Sequence, residues 1–117
     1  MPHGKICYIE MPAKDARASA DFYSKIFGWN VRTRGDGELA FDDSTGNVSG
    51  SWIPKTVMMT YIMVDSIAEA HKKIVAAGGA IVTPFTPIGP GGDGFAIFKD
   101  PAGNAVGLYQ EGSGRKA

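Results

Sequence analysis

The chain has 117 residues with twelve basic and twelve acidic side chains, so its formal net charge is zero. That length suits one compact domain with a real core, and the even charge leaves no electrostatic footprint for nucleic acid or an anionic membrane. The single cysteine, Cys7, excludes an internal disulfide; with no apolar run near the ~20 residues of a membrane span and no signal-like N-terminus, the expected location is the cytoplasm.

In chain order, residues 5–11 read as a strand stopped by Pro12, which cannot donate to a sheet ladder. Alternation puts Cys7, Ile9 and Met11 on one face and Ile6, Tyr8 and Glu10 on the other. Asp15 is the expected N-cap of a helix running to about Phe27, with Gly28 as its left-handed stop. Ala16, Ala20, Tyr23 and Phe27 recur at helical spacing, and Phe22 and Ile26 widen that apolar stripe. Trp29 to Arg34 is a second strand. Residues 36–52 then read as strand, Asp-x-x-Gly-Asn turn, strand, which is hairpin chemistry.

The second half repeats this order. Met58 to Val64 is a strand, Asp65-Ser66 opens a helix, and Ser66 with Glu69 has capping-box spacing. Ile67, Ala70, Ile74 and Ala77 line its apolar side, and Gly78-Gly79 ends it. Ala80 to Phe85 is a strand, a Pro/Gly connection follows over residues 87–92, and residues 93–109 form a second hairpin. A gapless shift of 57 matches Asp36/Asp93, Gly37/Gly94, Phe41/Phe98, Asp43/Asp100, Gly46/Gly103, Asn47/Asn104 and Gly50/Gly107, and pairs Trp52 with Tyr109. Tyr61-Ile62-Met63-Val64 echoes Tyr8-Ile9-Glu10-Met11 at a shift of 53. Such self-similarity marks a duplicated module.

The order βαβββ–βαβββ resembles the vicinal oxygen chelate superfamily, which groups lactoylglutathione lyase, extradiol dioxygenases and bleomycin-resistance proteins. The residues that carry the resemblance are Phe22-Tyr23 followed by Phe27-Gly28-Trp29, Val64-Asp65 ahead of the second helix, Ala77-Gly78-Gly79 at its end, and Phe98-Lys99-Asp100-Pro101-Ala102-Gly103-Asn104. The ending Gly107-Leu108-Tyr109-Gln110 is similar to a glyoxalase-like bacterial group. The implied fold is α+β: two tandem βαβββ modules forming an incomplete barrel with a shared cleft, helices on the outer face. Residues 1–117 are then a single glyoxalase-like domain, with module 1 at about 4–54, module 2 at about 57–111 and a loose tail at 112–117.

The resemblance also implies a place for metal. Metal-dependent members hold a divalent ion with His, Glu or Gln on four strands, two per module, and use it as a Lewis acid. Counting back from Val64-Asp65 and from the turn motifs, the resemblance implies Ile6, Gly50, Met59 and Gly107 for those positions, and the shifts of 53 and 57 agree. None offers a usable donor for a hard cation, so no metal and no other cofactor is expected. His3 and His71 lack ligand spacing and read as solvated or partly packed histidines, with His3 on a loose terminus, and Cys7 as a buried inert thiol.

Strand alternation from Ile6 and Met59 adds Tyr8, Glu10, Tyr61 and Met63 to the cleft side; Trp52 and Tyr109 share the parity of Gly50 and Gly107. The expected ligand-binding wall is therefore Tyr8, Trp52, Tyr61, Met63 and Tyr109, suited to an aromatic or apolar small molecule. Rings that merely fill the core between modules are the bland alternative. Glu10 is the one acid expected inside and the candidate proton acceptor, against a reading in which it sits in water at the strand end. Three functions follow: a metal-free small-molecule-binding protein, a lyase or isomerase using Glu10 or a tyrosine as acid–base group, or a dimerising interaction module. The first is the reading adopted, with a homodimer as the expected assembly.

Overall fold

A computed structural model of the chain describes residues 3–112. Its elements run β1 (Ile6–Pro12), α1 (Ala16–Phe27), β2 (Asn30–Thr33), β3 (Leu39–Asp42), β4 (Ser49–Ile53), β5 (Met59–Met63), α2 (Ile67–Ala76), β6 (Ala80–Pro87), β7 (Gly94–Lys99) and β8 (Ala105–Gln110). This is βαβββ twice, an α+β fold. Two compact units result, residues 7–60 and residues 61–112 with 3–6.

In the first unit the strand order is β2-β3-β4-β1, with β1 and β4 parallel and the two hairpin pairs antiparallel. Asp15 caps α1 by accepting from the Ala18 N–H at 3.1 Å. Gly28 ends it at φ 73°, a conformation that glycine adopts without a Cβ penalty. One face of the sheet packs on α1: Ala20, Phe41 and Trp52 form a buried cluster, bordered by Ile9, Met11, Ala16, Tyr23, Trp29 and Val31. Its rings run in a continuous stack, Tyr23 on Trp29 (4.8 Å between centroids), Trp29 on Phe41 (4.4 Å) and Phe41 against Trp52 (4.9 Å). Burying side chains of this size is worth about 2–3 kcal/mol each. Phe22 and Ile26 do not join the stripe; they are 55% and 57% exposed on the outer side of α1.

In the second unit the order is β5-β8-β7-β6, again with a parallel pair (β5 and β8) beside two antiparallel ones. The prolines of β6 sit on its edge, where a missing N–H costs no ladder bond, and the β6–β7 register shifts twice. Ser66 Oγ caps α2 by accepting from the Glu69 N–H, but the Glu69 carboxylate turns to Lys72 at 3.3 Å instead of closing the box. Val64, Ile67, Ala96 and Leu108 form the core beneath α2, with Ile62, Ala70, Ile74 and Phe98 packed around it; Ala77 is exposed. His3 is not loose: its Nδ1 accepts from the Asp65 N–H at 3.1 Å. Of the expected tail, Gly112 is anchored by its N–H to Asp93 Oδ1 at 2.6 Å, and residues 113–117 lie outside the described residues.

The two halves are not related by one constant shift. The helix caps, Asp15 and Ser66, are 51 residues apart rather than 53. In the first hairpin the Asp43 N–H bonds to the carbonyl of Val48, five residues on; in the second the Asp100 N–H bonds to Asn104, four residues on. The first turn thus holds one residue more, although the sequences match without a gap. β3 corresponds to β7 at a shift of 57, and β4 to β8 at a shift of 56. A slip of one residue turns every side chain to the other face. The ladders agree with this: Met11 opposite Trp52 answers to Ile62 opposite Leu108, and Glu10 opposite Ser51 answers to Tyr61 opposite Gly107.

Candidate functional site

The face of the first sheet turned away from α1 is polar. Strand pairing sets out two rows across it: Arg32, Ala40, Ser51 and Glu10, then Asn30, Asp42, Ser49 and Tyr8. Arg32 grips Asp42 with two bonds, Nε to Oδ2 at 3.0 Å and Nη2 to Oδ1 at 3.2 Å, and Ser49 Oγ donates to the same carboxylate at 2.6 Å. Those donors, the Arg32 guanidinium foremost, hold the Asp42 carboxyl down at about 2. The same contact raises the Arg32 guanidinium.

The second feature spans the sheet. Arg34 follows β2 and Tyr8 lies in β1, three strands away, yet Arg34 Nη1 donates to Tyr8 Oη at 2.9 Å. Asp36 holds the other side of the guanidinium at 2.9 and 3.3 Å. On the two strands between, the same face carries Ala40 and Ser51, which are 0% and 1% exposed. Ser51 Oγ is buried with no hydrogen-bond partner, an unusual state for a hydroxyl. On β1 its cross-strand neighbour on the same face is Glu10, half-buried.

The corresponding face of the second sheet is apolar and aromatic. Tyr61 pairs with Gly107 and Met63 with Tyr109, while Ile62 and Leu108 point to α2. The Tyr61 ring lies against Gly107, where any Cβ would meet it. Tyr61 and Met63 are 8% and 2% exposed, so they present almost no surface of their own. Tyr109 is half-buried and its hydroxyl donates to Asp93 Oδ2 at 3.0 Å.

Of the residues singled out from sequence, Tyr8 and Glu10 lie on the polar face, and Tyr61, Met63 and Tyr109 on the face away from α2. Trp52 belongs elsewhere. It packs beneath α1 against Phe41 and Tyr23, its Nε1 without a partner, because the longer first turn reverses the facing of β4. Gly50 is on that same inner side, where a Cβ would strike the Phe41 ring and the Ile9 carbonyl. With shifts of 51 and 56, the counterparts of Met59 and Gly107 are Tyr8 and Ser51, not Ile6 and Gly50; Ile6 is 52% exposed. Cys7 is buried, as expected. Sequence reasoning overlooked Ser51, Ser49, Asp42 and Arg34. The signal that pointed to them was the polar pair Ser49 and Ser51 at positions matched with apolar Val106 and Leu108.

The comparison with known families is decisive here: residues 5–108 match the Glyoxalase/Bleomycin resistance protein/Dioxygenase superfamily. The chain belongs to that superfamily. A glyoxylase-like domain-containing protein of Didymella fabae is 30% identical over 87% of this chain and 90% of its own length. The putative glyoxylase CFP32 of Mycobacterium bovis is 28% identical over 88% of this chain, which spans only 44% of that protein. Among solved structures, a superfamily member from Vibrio splendidus 12B01 superposes with a TM-score of 0.69 at 14% identity, covering 92% of this chain and 99% of its own. That likeness concerns fold alone. If Met59 and Gly107 are the second module's metal positions, as the resemblance implies, the ladders set Tyr8 and Ser51 against them in the first. A phenol, a primary hydroxyl, a thioether and a hydrogen atom are a poor set for a hard divalent ion. Among the described residues no group of three or more His, Cys, Asp or Glu side chains is placed to hold a metal. No helix among them is long and apolar enough to cross a membrane.

Proposed function

We propose that this glyoxalase-superfamily chain is a small-molecule-binding protein that recognises its ligand by hydrogen bonding and ring contact, not by chelation through a divalent ion. The observation that carries the reading is the buried Ser51 hydroxyl, without a hydrogen-bond partner among the described residues, beside Glu10 on the polar face. A buried hydroxyl left unsatisfied costs roughly 1–3 kcal/mol, which a ligand oxygen seated beside it would recover. Tyr8 and Arg34 bring a phenol and a guanidinium to the same face. The ligand that suits them is a small aromatic or apolar molecule bearing a carbonyl or carboxylate.

The test is calorimetric titration of the full chain with aryl carboxylates such as benzoate and naphthoate, alongside Zn2+, Mn2+ and Ni2+. Saturable carboxylate binding in metal-free buffer, weakened about tenfold by Ser51→Ala or Tyr8→Phe, is the expected result. Stoichiometric tight binding of one divalent ion would sink the reading and return the protein to the family's Lewis-acid chemistry. Glu10, adjacent to Ser51 across the β1–β4 ladder, supports an acid–base enzyme as the second reading. Turnover of a bound carboxylate that Glu10→Gln abolishes without loss of binding would favour it.

A further inference from the structure

Asp-Gly occurs twice in the chain, at Asp36-Gly37 and at the matched Asp93-Gly94. In such a pair no side chain shields the glycine nitrogen, which can attack the aspartate carboxyl carbon and close a succinimide ring with loss of water. Water then reopens the ring at either carbonyl. One opening returns aspartate; the other leaves isoaspartate, with the main chain running through the former side chain. One water leaves and one returns, so the step needs no oxidant and no cofactor.

The two copies sit differently. Gly94 is buried at the start of β7, paired with Pro87 and Gln110, and a Cβ there would meet the Phe85 ring. Asp36 and Gly37 are exposed in the turn between β2 and β3, with Gly37 at φ 87° and open space around it. Hydrogen bonds restrain this turn. The Gly37 N–H donates to the Arg34 carbonyl at 2.9 Å. Asp36 Oδ1 accepts from the Glu38 N–H at 3.0 Å and from Arg34 Nε at 3.3 Å, and Oδ2 accepts from Arg34 Nη2 at 2.9 Å. The Glu38 N–H foremost, then Arg34, hold the carboxyl below its ordinary range, in the ionised form that resists attack.

Both reacting groups are thus occupied, and two of the three bonds to the carboxylate come from one side chain. We infer that Asp36 is a site of isoaspartate formation held closed by the Arg34 guanidinium. That guanidinium also holds Tyr8 at 2.9 Å. Conversion moves the carboxylate out of the position Arg34 grips, so it disturbs the polar face as well. The inference needs no ligand and does not rest on the binding function proposed above.

The full chain and a synthetic peptide of residues 32–40, incubated side by side at neutral pH, test this, with isoaspartate located by electron-transfer mass spectrometry. Isoaspartate at Asp36 should accumulate roughly tenfold more slowly in the folded chain than in the peptide. Arg34→Gln should speed it roughly threefold, whereas Tyr8→Phe, which leaves the Arg34–Asp36 pair in place, should keep the parent rate. The inference fails if peptide and folded chain convert at one rate, or if the peptide does not convert at all. It fails equally if Arg34→Gln converts like the parent, or if its gain appears to the same degree at Asp93, which would mark unfolding instead of a lost guard.

Discussion

Arg34, just past β2, and Tyr8 of β1 meet across the first module's strands, guanidinium to phenol at 2.9 Å, on the face that carries Ala40 and the buried Ser51. Tyr8→Phe removes the acceptor and leaves Arg34 held by Asp36 alone. A hydrogen bond to a charged donor at a half-buried site is worth about 1–2 kcal/mol. Urea denaturation of the Tyr8→Phe protein should show that loss, and hydrogen exchange should speed at Ser51 and Ala40 as the cover loosens. Unchanged stability together with unchanged exchange would mean that the bridge covers nothing.

Asp42 makes acid stability measurable. Its folded carboxyl lies at about 2, below the ordinary 3.8, because Arg32 and Ser49 bond to the ionised form. A depressed carboxyl contributes stability that is fully present above the unfolded value and lost as pH falls through the folded one. The contribution should therefore fade between about pH 4 and pH 2. Its size should be about 1–2 kcal/mol, since the side chain is 27% exposed and partly screened. Asp42→Asn should flatten that limb of the stability curve and leave the curve above pH 5 uniformly lower. An acid limb of the same slope in the variant would assign the effect to other carboxylates.

The extra residue in the first turn is open to direct test. Asp43 Oδ1 accepts from Thr45 Oγ1 at 2.7 Å and from the Asn47 N–H at 3.1 Å, so the turn is built around that one carboxylate. If the turn fixes a five-residue closure, deleting Thr45 moves the Asp43 N–H from the Val48 carbonyl to that of Ser49 and turns Trp52 away from α1. Losing a core ring of this size costs about 3–5 kcal/mol, enough to unfold many domains of this size. Thermal melts by circular dichroism should show collapse of the transition. A deletion protein that melts like the parent would show that register here is not set by the turn.

That turn also explains what was legible in the sequence. Local chemistry was readable: Asp15, Gly28 and Ser66 mark their helix ends because capping depends on neighbours in the chain. The second module's facing was readable too, since Ile62 and Leu108 alternate with Tyr61, Gly107 and Tyr109. The first module's was not. Identity between the repeats runs straight through Gly46/Gly103 and Asn47/Asn104, whereas register is decided by which carbonyl closes the turn, a property identity does not record. Trp52 was therefore matched with Tyr109 instead of Leu108, and Gly50 stood where Ser51 belongs. The polar face went unseen for a related reason: Arg34 and Tyr8 are 26 residues apart and meet only across four paired strands.

Two glycines that the repeat matches should respond differently to alanine. At Gly50 the new methyl would press on the Ile9 carbonyl as well as on the Phe41 ring. That carbonyl belongs to the β1–β4 ladder and cannot retreat without breaking it, so Gly50→Ala should cost about 3 kcal/mol or more. At Gly107 the nearest atoms all belong to the Tyr61 side chain, which can swing aside. Gly107→Ala should cost about 1–2 kcal/mol, and most of that should vanish in a Tyr61→Ala background. The double-mutant cycle on Tyr61 and Gly107 should give a coupling of about 1 kcal/mol, read from urea denaturation of the four proteins. Phe41→Ala should rescue Gly50→Ala only in part, because the backbone clash remains. Additive costs at Gly107, or full rescue at Gly50, would contradict the packing described for these two positions.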